Sequence, residues 1–147
     1  MSNIFHINLN WERSGEFEYE KFNRNHKITL GGNQVINNSA ASEYLGNAGM
    51  SNPEELLASA LASCHMLTFL AVACKSGYTV DSYIDNATAT LDKNEEGKLA
   101  VTVIDLKPEV IFSGEKIPNQ EQLKSLHEKA HRNCFIANSI KTKVNVL

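Results

Sequence analysis

The chain has 147 residues, of which 42% are hydrophobic and 21% are charged, and its formal net charge is -3. This length suits one domain, or a protomer that completes its core with a second copy, so we expect a single domain over residues 1–147. The scattered lysines and arginines of a mildly acidic chain argue against nucleic-acid binding, and the apolar content argues against disorder. Three cysteines are too few for a disulfide scaffold and fit a reducing compartment.

The N-terminal residues contain no apolar run before Glu12 and Arg13. We therefore expect no signal peptide or lipidation motif, and a cytoplasmic location is the default. The segment from Leu56 to Cys74 has no formal charge and is long enough to cross a membrane. Because serine, histidine and threonine interrupt it, we interpret it as a core helix and expect no membrane partner.

The first part of the chain has the alternation of polar and apolar residues that is typical of strands. Residues 4–36 predict a meander of three or four strands, including Phe17–Glu20, with a turn at Gly31-Gly32-Asn33. Residues 37–50 are rich in Asn, Ser, Ala and Gly and predict a loop.

A helix start follows at Ser51-Asn52-Pro53-Glu54-Glu55, where a capping side chain, a first-turn proline and two carboxylates occur together. The helix is expected to end near Ser76, before Gly77. Its predicted core positions are Leu57, Leu61, Cys64, Thr68 and Ala71. The remaining faces are also apolar, and a short protomer cannot cover them all. Burial by a second copy, as in a homodimer, is the economical arrangement.

The second half of the chain predicts strands around another helix. Residues 78–91 and 99–112 are strand candidates joined by a charged turn at 92–97. A helix is predicted from about Glu121 to Ala137, followed by a closing strand over 140–147. Its predicted inward stripe is Leu123, Leu126, Ala130, Cys134 and Ala137. We therefore expect an α+β fold with antiparallel strand groups around two central helices.

Two cysteines lie on the predicted inward stripes, Cys64 on the first helix and Cys134 on the second. Buried cysteine is usually an inert small apolar residue. Two packed helices that each present a thiol can, however, close a disulfide if the Cα atoms lie within about 7 Å. Cys74 cannot pair with Cys64, because ten helical residues span about 15 Å, and it is expected to be a packing residue.

The segment His127-Glu128-Lys129-Ala130-His131 matches the H-E-x-x-H pattern of zinc metalloproteases. Zinc hydrolysis would require both imidazoles as ligands, Glu128 as general base and a third ligand. No Asp, Glu or His follows His131, so a zinc hydrolase is a minor alternative. We expect His127 and His131 to lie on the helix surface or near Cys134, and we expect no metal or cofactor.

The residues around both cysteines form recognisable motifs. Residues 52–64 read N-P-E-E-L-L-A-S-A-L-A-S-C, and residues 130–139 read A-H-R-N-C-F-I-A-N-S. The first resembles the N-P-E-x-L-x-x-A-x-x-A-C signature of the OsmC/Ohr family of thiol-dependent peroxidases, and the second resembles the second cysteine segment of that family. The resemblance implies an intertwined homodimer in which Cys64 is the peroxidatic cysteine and Cys134 the resolving cysteine.

The resemblance also implies a glutamate and an arginine that act beside the first cysteine. Glu54 occupies the glutamate position. The family arginine lies either in the N-terminal strands, which selects Arg24 with Arg13 in reserve, or just before the N-P-E motif, where this chain has none. Phe135 replaces a common proline after the second cysteine and His65 follows the first, which indicates a divergent branch.

These residues imply reduction of organic hydroperoxides, with inorganic peroxide as a further substrate. Cys64 would form a sulfenic acid, Cys134 would convert it to a disulfide, and an external dithiol would restore both thiols. Arg24 would favour the thiolate and Glu54 would hold the guanidinium in a fork. Because Glu54 is about 15 Å along the helix from Cys64, a site built from two protomers is expected. The alternative is a non-catalytic dimer that binds a small hydrophobic ligand.

Overall fold

The computed structural model describes all 147 residues. Its elements are β1 (Asn8–Asn10), β2 (His26–Thr29), β3 (Val35–Asn38), α1 (Pro53–Lys75), β4 (Thr79–Asp85), β5 (Thr88–Lys93), β6 (Leu99–Leu106), β7 (Pro108–Ser113), α2 (Gln120–Asn133) and β8 (Lys143–Val146), with short 3-10 helices at Gly31–Asn33, Ser42–Tyr44 and Ala137–Ser139. This confirms the α+β class with antiparallel strand groups and two helices. The chain divides into two compact units, Met1–Leu56 and Leu57–Leu147, so a single domain over the whole chain stays a prediction.

The Met1–Leu56 unit contains an antiparallel sheet in the order β1-β2-β3. Ile28 in the central strand is opposite Leu9 on one side and Ile36 on the other. The predicted strand at Phe17–Glu20 is wrong, because Phe17 lacks strand pairing and residues 19–21 form a turn. Its aromatic residues instead pack with Trp11 and Phe22, whose rings lie 6.0 and 5.3 Å from that of Phe17.

Helix α1 begins and ends as its sequence predicts. The Asn52 side chain accepts a hydrogen bond from the Glu55 backbone N–H at 2.9 Å, which caps the first turn. At the other end Gly77 has a φ of 84°. This left-handed conformation lets the Tyr78 N–H reach the Ala73 carbonyl at 3.0 Å and closes the last turn.

The buried face of α1 differs from the predicted stripe. Its buried residues are Leu61, His65, Phe69 and Ala73. Cys64 and Thr68 are half-buried and Ala71 is exposed. Apolar residues occur all around this helix, so their spacing could not identify the face that packs. Cys74 follows the last buried residue and is exposed, which corrects its prediction as a packing residue.

Much of α1 remains uncovered by the chain. By length and composition, the helix is long and apolar enough to span a membrane. Only 22% of its most apolar 18-residue stretch is buried. Leu67, for example, is 60% exposed. The second copy that would cover this apolar surface stays a prediction.

Helix α2 ends four residues before its predicted limit. Asn119 and Gln122 form a reciprocal capping box at the start. At the end, the Asn133 side chain donates to the Lys129 carbonyl at 2.9 Å, and Cys134 is extended, with φ -73° and ψ 116°. A side-chain amide that bonds the backbone competes with helix continuation. The thiol of Cys134 therefore lies on a turn rather than on the helix.

Strands of the Leu57–Leu147 unit form two sheets, β4-β7 and β5-β6-β8. Each predicted long strand divides in two, with breaks at 86–87 and at Lys107. The charged hairpin is confirmed, because the Asn94 side chain accepts the Glu96 and Lys98 N–H groups. The closing strand β8 is also confirmed, and it pairs in parallel with β6.

Two apolar clusters form the core of this unit. The aromatic cluster consists of Phe69, Ala73, Tyr78, Leu126 and Ala130. The thiol cluster consists of Leu61, Ile104, Leu106 and Cys134, with Cys64 packed against it. Helix α1 contributes to both clusters, so neighbouring residues on this helix face different surroundings.

Candidate active site

The structure brings Cys64 and Cys134 together. Both belong to the thiol cluster, and their side chains lie close enough to influence each other electrostatically. Cys64 comes from the middle of α1, whereas Cys134 lies directly after α2. Both are free thiols in one packed cluster, which is the placement that a disulfide between these two segments requires.

The two thiols differ in their access to solvent. Cys134 has 0% exposure, whereas Cys64 is half-buried. Burial raises the pKa of the Cys134 thiol and the contact with Cys64 raises it further, while the backbone N–H groups of Ala137 and Ile136 oppose this shift. A molecule arriving from solvent therefore meets Cys64 first, and Cys134 is held behind it as a neutral thiol.

The turn after α2 fixes the position of Cys134. Its sulfur accepts a hydrogen bond from the Ala137 N–H at 3.5 Å, and its carbonyl accepts one from the Asn138 N–H at 3.1 Å. Both donors belong to the 3-10 helix that begins at Ala137. The early end of α2 is thus coupled to the placement of the thiol.

Arg24 lies in the Met1–Leu56 unit and is oriented without an acidic partner. Its Nη1 donates to the Phe22 carbonyl at 2.9 Å, and its Nη2 donates to the Tyr19 carbonyl at 2.7 Å. The guanidinium also lies 3.8 Å from the Phe22 ring centre and 5.2 Å from that of Tyr19. Carbonyl groups and aromatic rings hold this cation. The sequence pattern did not predict these contacts.

The other two charged candidates lie in the same unit but do not contact Arg24. Glu54 is half-buried on the first turn of α1. Both ion pairs within the chain use Lys21, so Glu54 and Arg24 form no ion pair in one protomer, and the fork stays a prediction for a site built from two. Arg13 donates to the Gly15 carbonyl at 2.6 Å and is exposed. Of the two arginines, Arg24 has the more constrained guanidinium.

An aromatic cavity surrounds Arg24. We call this space of about 620 Å³ in the Met1–Leu56 unit the Arg24 aromatic cup. Its aromatic lining is Trp11, Phe17, Tyr19, Phe22 and Tyr44. Sequence reasoning assigned part of this segment to a strand and missed the cup. The close spacing of aromatic residues over 11–22 was the available signal.

A histidine pair, His65 and His127, packs against the aromatic cluster through Phe69. The rings of His65 and His127 lie edge to edge in nearly parallel planes, 7° apart with 5.3 Å between centroids, and His65 Nε2 lies 3.0 Å from His127 Nδ1. Phe69 stacks on the His127 ring at 4.3 Å. The expectation that His127 lies on the helix surface is therefore wrong, since only 8% of its surface is exposed.

Burial keeps both imidazoles of this pair neutral. It lowers the pKa of His127 to about 4. It lowers the pKa of His65 to about 4 as well, with repulsion from His127 and His131 adding to the effect. No three His, Cys, Asp or Glu side chains are grouped to hold a metal ion, so the H-E-x-x-H segment lacks the third ligand of a zinc site.

Known proteins resemble this chain in sequence and in fold. Residues 46–147 match the family model described as OsmC-like protein. An OsmC-like protein of unknown function from Vibrio cholerae is 38% identical, with a TM-score of 0.92 over 99% of each chain. Peroxiredoxin OsmC of Escherichia coli (strain K12) is 29% identical over 105 residues, which are 71% of this chain and 70% of that protein.

A more distant structure shares the fold. It is an organic hydroperoxide resistance protein OsmC from Legionella pneumophila, 20% identical, with a TM-score of 0.66 over 99% of this chain and 96% of that one. The match over residues 46–147 includes the segments of both cysteines that suggested the relationship. The chain belongs to the OsmC-like family.

Proposed function

We propose that this protein is a thiol-dependent peroxidase that reduces organic hydroperoxides. The observation that carries the proposal is the placement of a half-buried cysteine, Cys64, beside a fully buried one, Cys134, in the same cluster. The names of the Escherichia coli peroxiredoxin and the Legionella pneumophila organic hydroperoxide resistance protein support the same chemistry.

The first step is oxidation of Cys64. Its thiolate attacks the terminal oxygen of the hydroperoxide, the O–O bond breaks, and an S–O bond forms. The departing alkoxide takes up a proton and leaves as an alcohol. Hydrogen peroxide would react in the same way and release water. Two electrons pass from the sulfur to the peroxide, and Cys64 becomes a sulfenic acid.

The second step uses Cys134. Its sulfur, once deprotonated, attacks the sulfur of the Cys64 sulfenic acid, the S–O bond breaks, and water leaves as the disulfide forms. The packing of the two cysteines in one cluster supports this step, because it holds the attacking thiol near the sulfenic acid. An external dithiol then reduces the disulfide and restores both thiols. The need for this reductant is consistent with the cytoplasmic location expected from the sequence.

Activation of Cys64 is assigned to Arg24, with Arg13 in reserve. Glu54 forms no ion pair with Arg24 within one chain, and it is assigned as the orienting carboxylate of a site completed by a second protomer. A cation near a thiol favours the thiolate, which is the reactive form. The carbonyl contacts and stacked rings that hold the Arg24 guanidinium support its choice, because an oriented charge acts without reorganisation.

The proposal includes a homodimer. Support comes from α1, because only 22% of its most apolar 18-residue stretch is buried. Support also comes from the N-terminal segment, whose exposed apolar side chains include Ile4, Phe5 and Ile7. Apolar surfaces of this extent on a soluble chain are typical of interfaces.

The activity is tested by hydroperoxide consumption with a dithiol reductant. We expect Cys64→Ser to lower the rate to that of the reaction without protein, because no other exposed thiol has a resolving partner. Cys74→Ser is the matched control and should keep the rate of the unmodified protein. Consumption at an unchanged rate by Cys64→Ser would contradict the proposal. A protein without peroxidase activity would fit the ligand-binding alternative instead.

A further inference from the structure

A second cavity lies against α2. This α2 cavity has a volume of about 520 Å³, within the range of roughly 300–1,000 Å³ that is usual for small-molecule sites. Leu123, Val144 and Val146 form apolar wall, and His127, Lys124 and Arg132 are among its polar lining residues. Neither Cys64 nor Cys134 lines this cavity, so it is separate from the proposed peroxidase site.

His127 supplies a hydrogen-bonding group to the cavity. Its Nδ1 is occupied by His65 Nε2 at 3.0 Å, whereas its Nε2 forms no hydrogen bond with the protein. The ring is 92% buried, since its exposure is 8%, and Phe69 stacks on it. A polar group held in this way keeps a fixed direction, and ordering it requires little further loss of side-chain freedom.

The buried partner determines which nitrogen of His127 carries a proton. His65 Nδ1 is sealed from solvent and has no hydrogen-bond partner. If His127 donated to His65, this sealed Nδ1 would be an N–H group with nothing to accept it. If His65 donates to His127 instead, His65 Nδ1 carries no proton and is only an unpaired acceptor. Unpaired buried N–H groups are rarer than unpaired acceptors, so His65 donates and His127 carries its proton on Nε2.

The charged residues of the cavity act at its rim. Lys124 and Arg132 are exposed, and neither forms an ion pair. Glu128 lies between them on α2 and offsets part of their charge, and half-buried His131 completes the titratable lining. Selectivity therefore depends on the N–H donor of His127, with the two cations adding a preference for an anion.

We propose that the α2 cavity binds a small molecule with a short apolar chain and a terminal oxygen acceptor, of which a medium-chain carboxylate is the simplest example. The apolar wall takes the chain, and the His127 Nε2–H donates to the oxygen. His65 acts as a positioning residue that fixes the proton of His127.

The site is tested by titrating the full-length protein, labelled with ¹⁵N in its histidines, with octanoate, octanamide and octylamine. We expect ring ¹⁵N signals that place the His127 proton on Nε2. Octanoate and octanamide should shift that signal, with octanoate binding more tightly, because both present an acceptor oxygen. Octylamine has no acceptor oxygen and should leave the signal in place. A proton on Nδ1 of His127, or equal binding of octylamine and octanoate, would overturn the proposal.

Variants measured by calorimetry separate the site from general binding. His127→Phe keeps a ring against Phe69 but removes the donor, and we expect its affinity for octanoate to fall at least tenfold. His6→Phe is the matched control on an exposed histidine and should bind as the unmodified protein does. Unchanged affinity in folded His127→Phe overturns the assignment.

If His127→Phe does not fold, Leu123→Trp fills the cavity instead. Loss of octanoate binding with the His127 signal retained supports the site. Unchanged binding in this variant overturns it.

Discussion

Two neighbouring residues of α1, Cys64 and His65, each meet a like residue near or on α2. Cys64 packs with Cys134 in the thiol cluster, and His65 is hydrogen-bonded to His127. The thiol pair has one member half open to solvent, whereas both imidazoles are almost fully buried. One residue step turns a helix by about 100°, which is enough to separate a reactive pair from a sealed one.

Burial shifts the pKa values of the two pairs in opposite directions, but in both pairs it favours the neutral form. It raises the pKa of the Cys134 thiol and lowers the pKa of His65 and His127 to about 4. In each case the low-polarity surroundings disfavour the charged form. Solvent access to Cys64 is therefore the feature that distinguishes the reactive pair, rather than the presence of two adjacent titratable groups.

Removing the buried thiol, Cys134, should have the largest effect on peroxidase turnover. Cys134→Ser retains Cys64, so we expect about one equivalent of hydroperoxide to be consumed rapidly. Turnover with a dithiol should then fall by about 100-fold or more, because the sulfenic acid has no neighbouring thiol. Stopped-flow measurement and trapping with dimedone check both parts. Unchanged steady-state turnover would remove Cys134 from the cycle.

Acid should lower the stability of the fold through the buried pair His65 and His127. Unfolded histidine has a pKa near 6.5, whereas the folded values are about 4. As the pH falls from about 6.5 to 4, only the unfolded chain gains these protons, so the free energy of unfolding decreases. The loss is about 3 kcal/mol per ring, it is complete below pH 4, and it is absent above pH 6.5. Urea unfolding at pH 7.5 and 4.5 measures it.

The double variant His65→Phe/His127→Phe is the comparison for this measurement. It should lose most of the pH dependence, whereas His6→Gln should keep it, because His6 is exposed. The same decrease in the double variant would assign the pH dependence to other groups.

Replacing the Arg24 guanidinium tests which arginine activates the Cys64 thiol. Arg24→Lys retains the charge but cannot bond two carbonyls in one plane while stacking on Phe22. We expect the second-order rate constant for Cys64 oxidation to fall about tenfold, with little change for Arg13→Lys. The larger effect in Arg13→Lys would transfer the role to the reserve residue.

The smallest effect concerns the helix that carries His127. Asn119→Ala removes the capping box at the start of α2 and should lower the free energy of unfolding by about 1 kcal/mol. Amide hydrogen exchange should increase more near His127 than near Cys134, because Cys134 lies beyond the far end of the helix and is held by the Ala137 N–H. Equal increases at both positions would mean that α2 opens as one unit with the following turn.

Local signals in the sequence predicted the elements better than their contacts. The start of α1 and the hairpin at Asn94 depend on side chains a few residues away, so both were predictable. The buried face of α1 was not predictable, because apolar residues surround the helix. The contact between His65 and His127 joins residues 62 positions apart, and no local spacing encodes it.

The candidate site shows the same division. The motifs at Cys64 and Cys134 selected both thiols, and the structure packs them in the same cluster. The orientation of Arg24 by the Tyr19 and Phe22 carbonyls was missed, because backbone groups have no side-chain signature in a sequence.

The most direct test of the central claim is mass spectrometry of the protein after one equivalent of cumene hydroperoxide. Digestion without reductant should release a peptide pair linked between Cys64 and Cys134, with Cys74 still a free thiol. Recovery of Cys134 as a free thiol, with Cys64 linked to Cys74 or unmodified, would contradict the account.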